Sequence, residues 1–173
     1  MRNKMDSIGI FTTALQYEEK IRDLYLTAAH TIDDERGKSI FKALADDEQS
    51  HVDFLLYSLA QLRANDTIDT DRLQTAIPAG DSINANIEKM KADIPEKMLG
   101  DIKIVLNSAL KLEKETSAYY LDARDKTEGV IRDILNKFYE IEERHVEVVQ
   151  IEIDHATKNG MWFNFMEMNL EVE

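Results

Sequence analysis

Residues 41–62 read FKALADDEQSHVDFLLYSLAQL, an uninterrupted run without glycine or proline. Taking every third or fourth residue gives Phe41, Leu44, Glu48, His51, Leu55, Ser58 and Leu62, the set that one face of an α-helix presents. This face is apolar towards both ends and carries a carboxylate and an imidazole in its middle. A second run has the same form, with Ile131, Leu135, Phe138, Glu142, His145, Val149 and Glu152. Two further stripes complete the set. One runs Phe11, Leu15, Glu18, Ile21, Tyr25, Ala28 and Ile32; the other Ile102, Leu106, Ala109, Glu113, Thr116, Tyr120 and Ala123. Each places a glutamate where a core residue belongs.

Outward from these stripes, the chain reads as four long helices over about 6–32, 38–63, 96–126 and 129–158. Gly37, Gly129 and Gly160 stand where the helical patterns stop. Short breaks after the first and third helices force antiparallel neighbours. The stretch 64–96 holds both prolines, Pro78 and Pro95, and is long enough to run the length of a bundle. A short helix near Asp81–Ala92, capped by Asp81 or Ser82, is expected within it. No segment alternates with period two for long enough to make a sheet. The expected fold is all-α: an antiparallel four-helix bundle over 1–158, built from two hairpins and one long crossover. The tail 159–173 follows, and its aromatic run Met161-Trp162-Phe163-Asn164-Phe165-Met166 should pack on the bundle or on a dimer partner.

Composition narrows the chemistry. With 173 residues, 43% hydrophobic, the chain suits one domain with a real core. It has no cysteine, which excludes disulfides, thiolate metal sites and thiol nucleophiles. The net charge of −13, from 34 Asp+Glu against 21 Lys+Arg, argues against nucleic acid and anionic membranes as partners but not against cations. Apolar runs are too short for a signal peptide or membrane span, so a cytoplasmic location is expected.

Burying an unpaired carboxylate costs several kcal/mol (on the order of the ionic desolvation penalty), so four at one level demand partners. Glu18, Glu48, Glu113 and Glu142 together bring four negative charges, and the stripes contain no Lys or Arg. Two divalent ions would cancel that sum. Carboxylate-rich sites with one imidazole per ion suit iron or manganese better than zinc.

An internal repeat strengthens the case. Glu18 and Glu113 are 95 residues apart, and each has a tyrosine seven residues on, Tyr25 and Tyr120. Glu48-x-x-His51 recurs 94 residues later as Glu142-x-x-His145. A third match, Glu152-x-x-His155, has Ser58 and Gln61 as its counterparts and is expected on the surface or at the bundle end. Tyr25 and Tyr120 are expected either to hydrogen-bond carboxylates of the opposite hairpin or to be core rings with satisfied hydroxyls. His30 is expected as a charge at a helix C-terminus.

These residues make the chain resemble the rubrerythrin-type branch of the ferritin-like di-iron carboxylate proteins. The likeness rests on Tyr17-Glu18-Glu19-x5-Tyr25, Asp47-Glu48-x-x-His51, Leu112-Glu113-x6-Tyr120 and Glu142-Glu143-x-His145, across nearly the whole chain. The resemblance implies two irons, with manganese or zinc as substitutes. Glu18 and His51 would serve one metal, Glu113 and His145 the other, while Glu48 and Glu142 bridge. Glu19 is the register alternative to Glu18, which the stripe and Tyr25 favour.

The implied activity is reduction of hydrogen peroxide or dioxygen as a peroxidase or ferroxidase. An iron-storage protein and a structural helical module with an incidental site are the alternatives. A homodimer is implied by analogy. Two departures stand out. Rubrerythrins proper carry a rubredoxin domain with four cysteines, so electrons here would come from an external donor such as a separate rubredoxin-like protein. An additional carboxylate of the family, one turn before the third-helix glutamate, is replaced by Leu110 beside Ala109.

Overall fold

The computed structural model describes residues 4–80, 82, 91–163 and 165. Four long helices dominate them: α1 (Lys4–Thr31), α2 (Glu35–Arg63), α3 (Leu99–Asp125) and α4 (Gly129–Asn159). No described helix is long and apolar enough to cross a membrane. All-α is therefore the class, and every helix lies within a few residues of its sequence-based span.

α1 packs along α2, α3 along α4, and α1 also meets α3. Cross-helix pairs set the directions. Tyr25 of α1 meets Glu113 of α3 while Glu18 meets Tyr120, so those two helices run antiparallel. The rings of Phe54 and His51 on α2 lie against Phe138 on α4. Two hairpins thus face each other.

The first hairpin turns more sharply than expected. Its break is 32–34, where Asp34, extended at φ −148°, caps α2 by accepting the Gly37 N–H at 3.1 Å. Gly37 lies inside the first turn of α2 rather than at the break. A Cβ there would sit 2.9 Å from the Trp162 ring, so this glycine admits the indole. Gly129 and Gly160 do mark helix ends. Both have positive φ, 66° and 63°, and Gly160 closes α4 in the left-handed conformation.

The crossover between α2 and α3 carries 3₁₀ turns at Thr70–Arg72 and Glu96–Met98, and buries Leu73 and Ile77. The short helix expected near Asp81–Ala92 lies outside the described residues, save Ser82 and its last two. Lys91 and Ala92 instead begin β1 (Lys91–Asp93), which pairs antiparallel with β2 (Met161–Phe163). Trp162 stands opposite Ala92, is fully buried, and packs edge-on against Phe41. Strands of three residues carry no readable alternation. Their pairing is imposed by the bundle they lie on, which supplies the support an isolated two-stranded ribbon lacks.

The core is split in two. One apolar cluster, including Ile21, Phe41, Leu44, Leu106, Val149 and Trp162, fills the end nearest β1 and β2. Another, including Phe11, Phe54, Leu55, Leu135 and Phe138, fills the opposite end. Between them lies a fully enclosed polar layer.

Candidate metal centre

Glu18, Glu48, His51, Glu113, Glu142 and His145 all have 0% exposure and come one or two from each long helix. The 3-4 period that places apolar residues above and below them turns these six inward at one level. Besides a group that joins Asp47 to His51 and His145, the six form two groups of four, each gathered within 4.8 Å: Glu18, Glu48, His51 and Glu142, then Glu48, Glu113, Glu142 and His145. Glu48 and Glu142 belong to both. Glu19, one residue on, is not part of either group.

The two histidines present Nδ1 to the glutamates. His145 Nδ1 lies 2.7 Å from Glu48 Oε1 and 3.5 Å from Glu113 Oε1, whereas His51 Nδ1 is 3.6 Å from Glu48 Oε2 and 4.0 Å from Glu18 Oε2. Neither Nδ1 makes a hydrogen bond among the described residues. Nor do both oxygens of Glu48 and of Glu142, Glu18 Oε2 and Glu113 Oε2. Buried polar atoms are almost always satisfied, so a convergent set of orphans implies a missing partner. Their chemistry, carboxylate oxygen with neutral imidazole nitrogen, is that of a cation's ligands. Buried groups of this kind could hold metal ions.

Both tyrosines reach across the hairpins. The Tyr25 hydroxyl donates to Glu113 Oε1 at 2.9 Å, and the Tyr120 hydroxyl to Glu18 Oε1 at 2.8 Å. The second oxygen of each glutamate, Glu113 Oε2 and Glu18 Oε2, has no hydrogen-bond partner among the described residues. Burial, followed by the nearby carboxylates, pushes both phenols well above their ordinary value, so they remain donors.

Behind the histidines the arrangement differs. His145 Nε2 is 2.7 Å from Asp47 Oδ2, while His51 Nε2 is 3.0 Å from the Gln74 carbonyl. Asp47 also accepts from the Thr75 hydroxyl at 2.8 Å and the Ala76 N–H at 2.7 Å. Crossover residues 74–76 therefore back both rings. Only an N–H at His51 Nε2 can donate to a carbonyl, which leaves Nδ1 as a lone pair aimed at the cluster. Sequence reasoning assigned Asp47 no role, nor Gln74, Thr75 or Ala76. Adjacency of Asp47 to Glu48 was the available signal, but the crossover has no periodicity that predicts its contacts.

The electrostatics of the layer follow from crowding. Burial first, then Glu18 and the other carboxylates, raise the carboxyls of Glu48 and Glu142 well above the ordinary value. Burial alone would lower His145, but Glu48 and Glu113 outweigh it and raise its imidazole well above the usual range. Burial likewise opposes ionisation of Asp47 and Glu113. It is overcome in both, chiefly through His145, and both sit below their ordinary values.

Glu152 corrects the sequence reading. It is completely buried among the β1–β2 end of the core, not at the surface, and Oε2 accepts the Phe163 N–H at 3.3 Å. The helical stripe that ended on Glu152 was the better guide than its charge. It belongs to neither ligand group.

The chain matches no family model, no curated protein and no solved structure.

Proposed function

We propose that this chain is a non-haem di-iron oxidoreductase of the rubrerythrin-like, ferritin-like kind, reducing hydrogen peroxide or dioxygen. The observation that carries the reading is the pair of four-residue ligand groups sharing Glu48 and Glu142. Glu18 with His51 would hold one ion and Glu113 with His145 the other, and Glu48 and Glu142 would be shared between them. Two such ions supply the two electrons that cleavage of one O–O bond requires.

The chain's own contribution is placement. Tyr25 and Tyr120 hold one oxygen of each terminal glutamate, leaving the other for the metal. Asp47 and the Gln74 carbonyl fix the imidazoles, so that no ring reorients when an ion enters. The apolar clusters on either side keep bulk water from the layer. The four glutamates need four positive charges, and iron or manganese matches that oxygen-rich donor set better than zinc. Electrons come from an external donor, a separate rubredoxin-like protein by analogy, and a cytoplasmic homodimer is the expected form.

Metal analysis with anomalous scattering at the iron edge tests the centre, with two ions per chain expected. Peroxide added to the ferrous protein with a reductant then tests the activity. Repeated cycles support an oxidoreductase. A single oxidation that never recycles identifies storage instead, and full-length folded protein without stoichiometric metal overturns the reading.

A further inference from the structure

The crossover residues that back the two histidines also wall a cleft that opens to solvent. About 200 Å³ in volume, it lies between Leu73, Gln74 and Thr75 on one side and Lys137, Glu140, Ile141 and Arg144 of α4 on the other. The α4 residues follow the i, i+3, i+4, i+7 spacing of one helical face. Leu73 and Ile141 are buried and give the cleft an apolar floor. Lys137, half-buried, and Arg144, exposed, stand at its rim.

In a chain of net charge −13, these two cations stand out. Other bases lie beside acids: Lys42 by Asp46, Arg124 by Asp125 and Lys126 by Asp122. Lys137 and Arg144 form no ion pair among the described residues, and Lys137 Nζ donates to the Thr70 carbonyl at 3.3 Å. Glu140 accepts from the Asn136 amide at 3.2 Å. Two bases against one acid leave the cleft one positive charge in surplus. The repeat does not copy it, since 94 residues earlier Lys137 answers to Ala43 and Arg144 to Ser50.

One surplus charge above an apolar floor suits a small monocarboxylate with a hydrophobic body. Guanidinium and ammonium groups hold carboxylates by charge-assisted hydrogen bonds, and the arginine fork matches both oxygens at once. Inorganic phosphate would supply charge but nothing to cover Leu73 and Ile141. The cleft is also one residue from the polar layer. The Gln74 carbonyl is 3.0 Å from His51 Nε2, and the Thr75 hydroxyl donates at 2.8 Å to Asp47, whose Oδ2 lies 2.7 Å from His145 Nε2.

We propose that this cleft binds a small apolar monocarboxylate through Arg144 and Lys137, and that its occupancy steadies the crossover residues supporting His51 and His145. The site uses no metal ion, so it is independent of the redox reading.

The test titrates benzoate into the full-length protein as purified, by calorimetry and by hydrogen–deuterium exchange. One benzoate per chain is expected, bound more tightly than inorganic phosphate. The amides of Ala76 and Ile77, which donate to the side chains of Asp47 and Thr75, should exchange more slowly once it is bound. Arg144→Gln and Lys137→Gln should each weaken binding about tenfold, the loss of one charged hydrogen-bonding partner. Arg132→Gln, an exposed cation of α4 outside the cleft, should leave binding unchanged. No uptake by wild type, equal uptake by both cleft variants, or phosphate binding as tightly as benzoate overturns the site. Uptake with unchanged exchange at 76–77 overturns the link to the histidines. None of these results bears on paired iron binding, whose failure would in turn leave this site standing.

Discussion

The two half-sites share their glutamates and differ in what stands behind them. Around His145 the support is a buried carboxylate, Asp47, held by two donors from the crossover. Around His51 the hydrogen-bond partner is a backbone carbonyl, that of Gln74, with Asp47 Oδ2 farther off at 3.8 Å. The repeat explains why: 94 residues after Asp47 the chain has Ile141, which can offer nothing to an imidazole. Symmetry is thus confined to the groups that face the cluster. A carboxylate raises the basicity of its histidine more than a carbonyl does, so the His145 half should hold its ion more tightly.

The largest effect erases the comparison. Glu48→Ala or Glu142→Ala removes a residue common to both groups, and elemental analysis should find paired binding abolished. Glu18→Ala should spare the His145 half, and loss of both ions there would show that the halves are not separable.

Asp47→Asn sharpens the contrast. It should weaken binding at the His145 half by roughly 10–100-fold, the usual consequence of losing such a support, with a smaller change at the other ion. Titration calorimetry resolving two affinities checks this. Equal weakening at both would mean that residues 74–76 act on the histidines as one unit.

Proton release probes the same asymmetry. His145, Glu48 and Glu142 all hold protons more firmly than usual in the metal-free protein, and ligands must shed them to bind. A pH indicator in weak buffer should record acidification on adding ferrous ion. His145→Ala should release fewer protons per ion than wild type.

The smallest effect lies away from the centre. Burial raises the Glu152 carboxyl well above its ordinary 4.5, against only the opposing Phe163 N–H. A raised folded value stabilises fully below the unfolded value and loses that contribution as pH rises through the folded one. Metal-free protein should therefore weaken from about pH 4.5 upwards, and Glu152→Gln should flatten that fall in urea melts at pH 5 and pH 8. Unchanged slope would place the pH dependence in the central layer, with His145, Glu48 and Glu142.

Much of this could be read from residue order. Four helices, their faces and the inward turn of six ligands follow from period and repeat, because side-chain direction on a helix is set by local geometry. Asp47, quoted in the motif around Glu48 and His51, carried no role by sequence because its contacts are to the crossover, a segment without periodicity. Glu152 was misplaced since its charge suggested solvent, whereas β2 closes over it with a backbone donor. Gly37 was read as a stop, although its use is to admit Trp162 from 125 residues further along the chain.

Local sequence thus determined which groups face inward and that four carboxylates able to hold cations are among them. Tertiary structure alone decided which histidine is backed by a carboxylate and where the crossover and tail dock. The reason is physical. Helical periodicity is a property of neighbours within a few residues, while those contacts join segments far apart in the chain, where no short-range rule constrains the pairing.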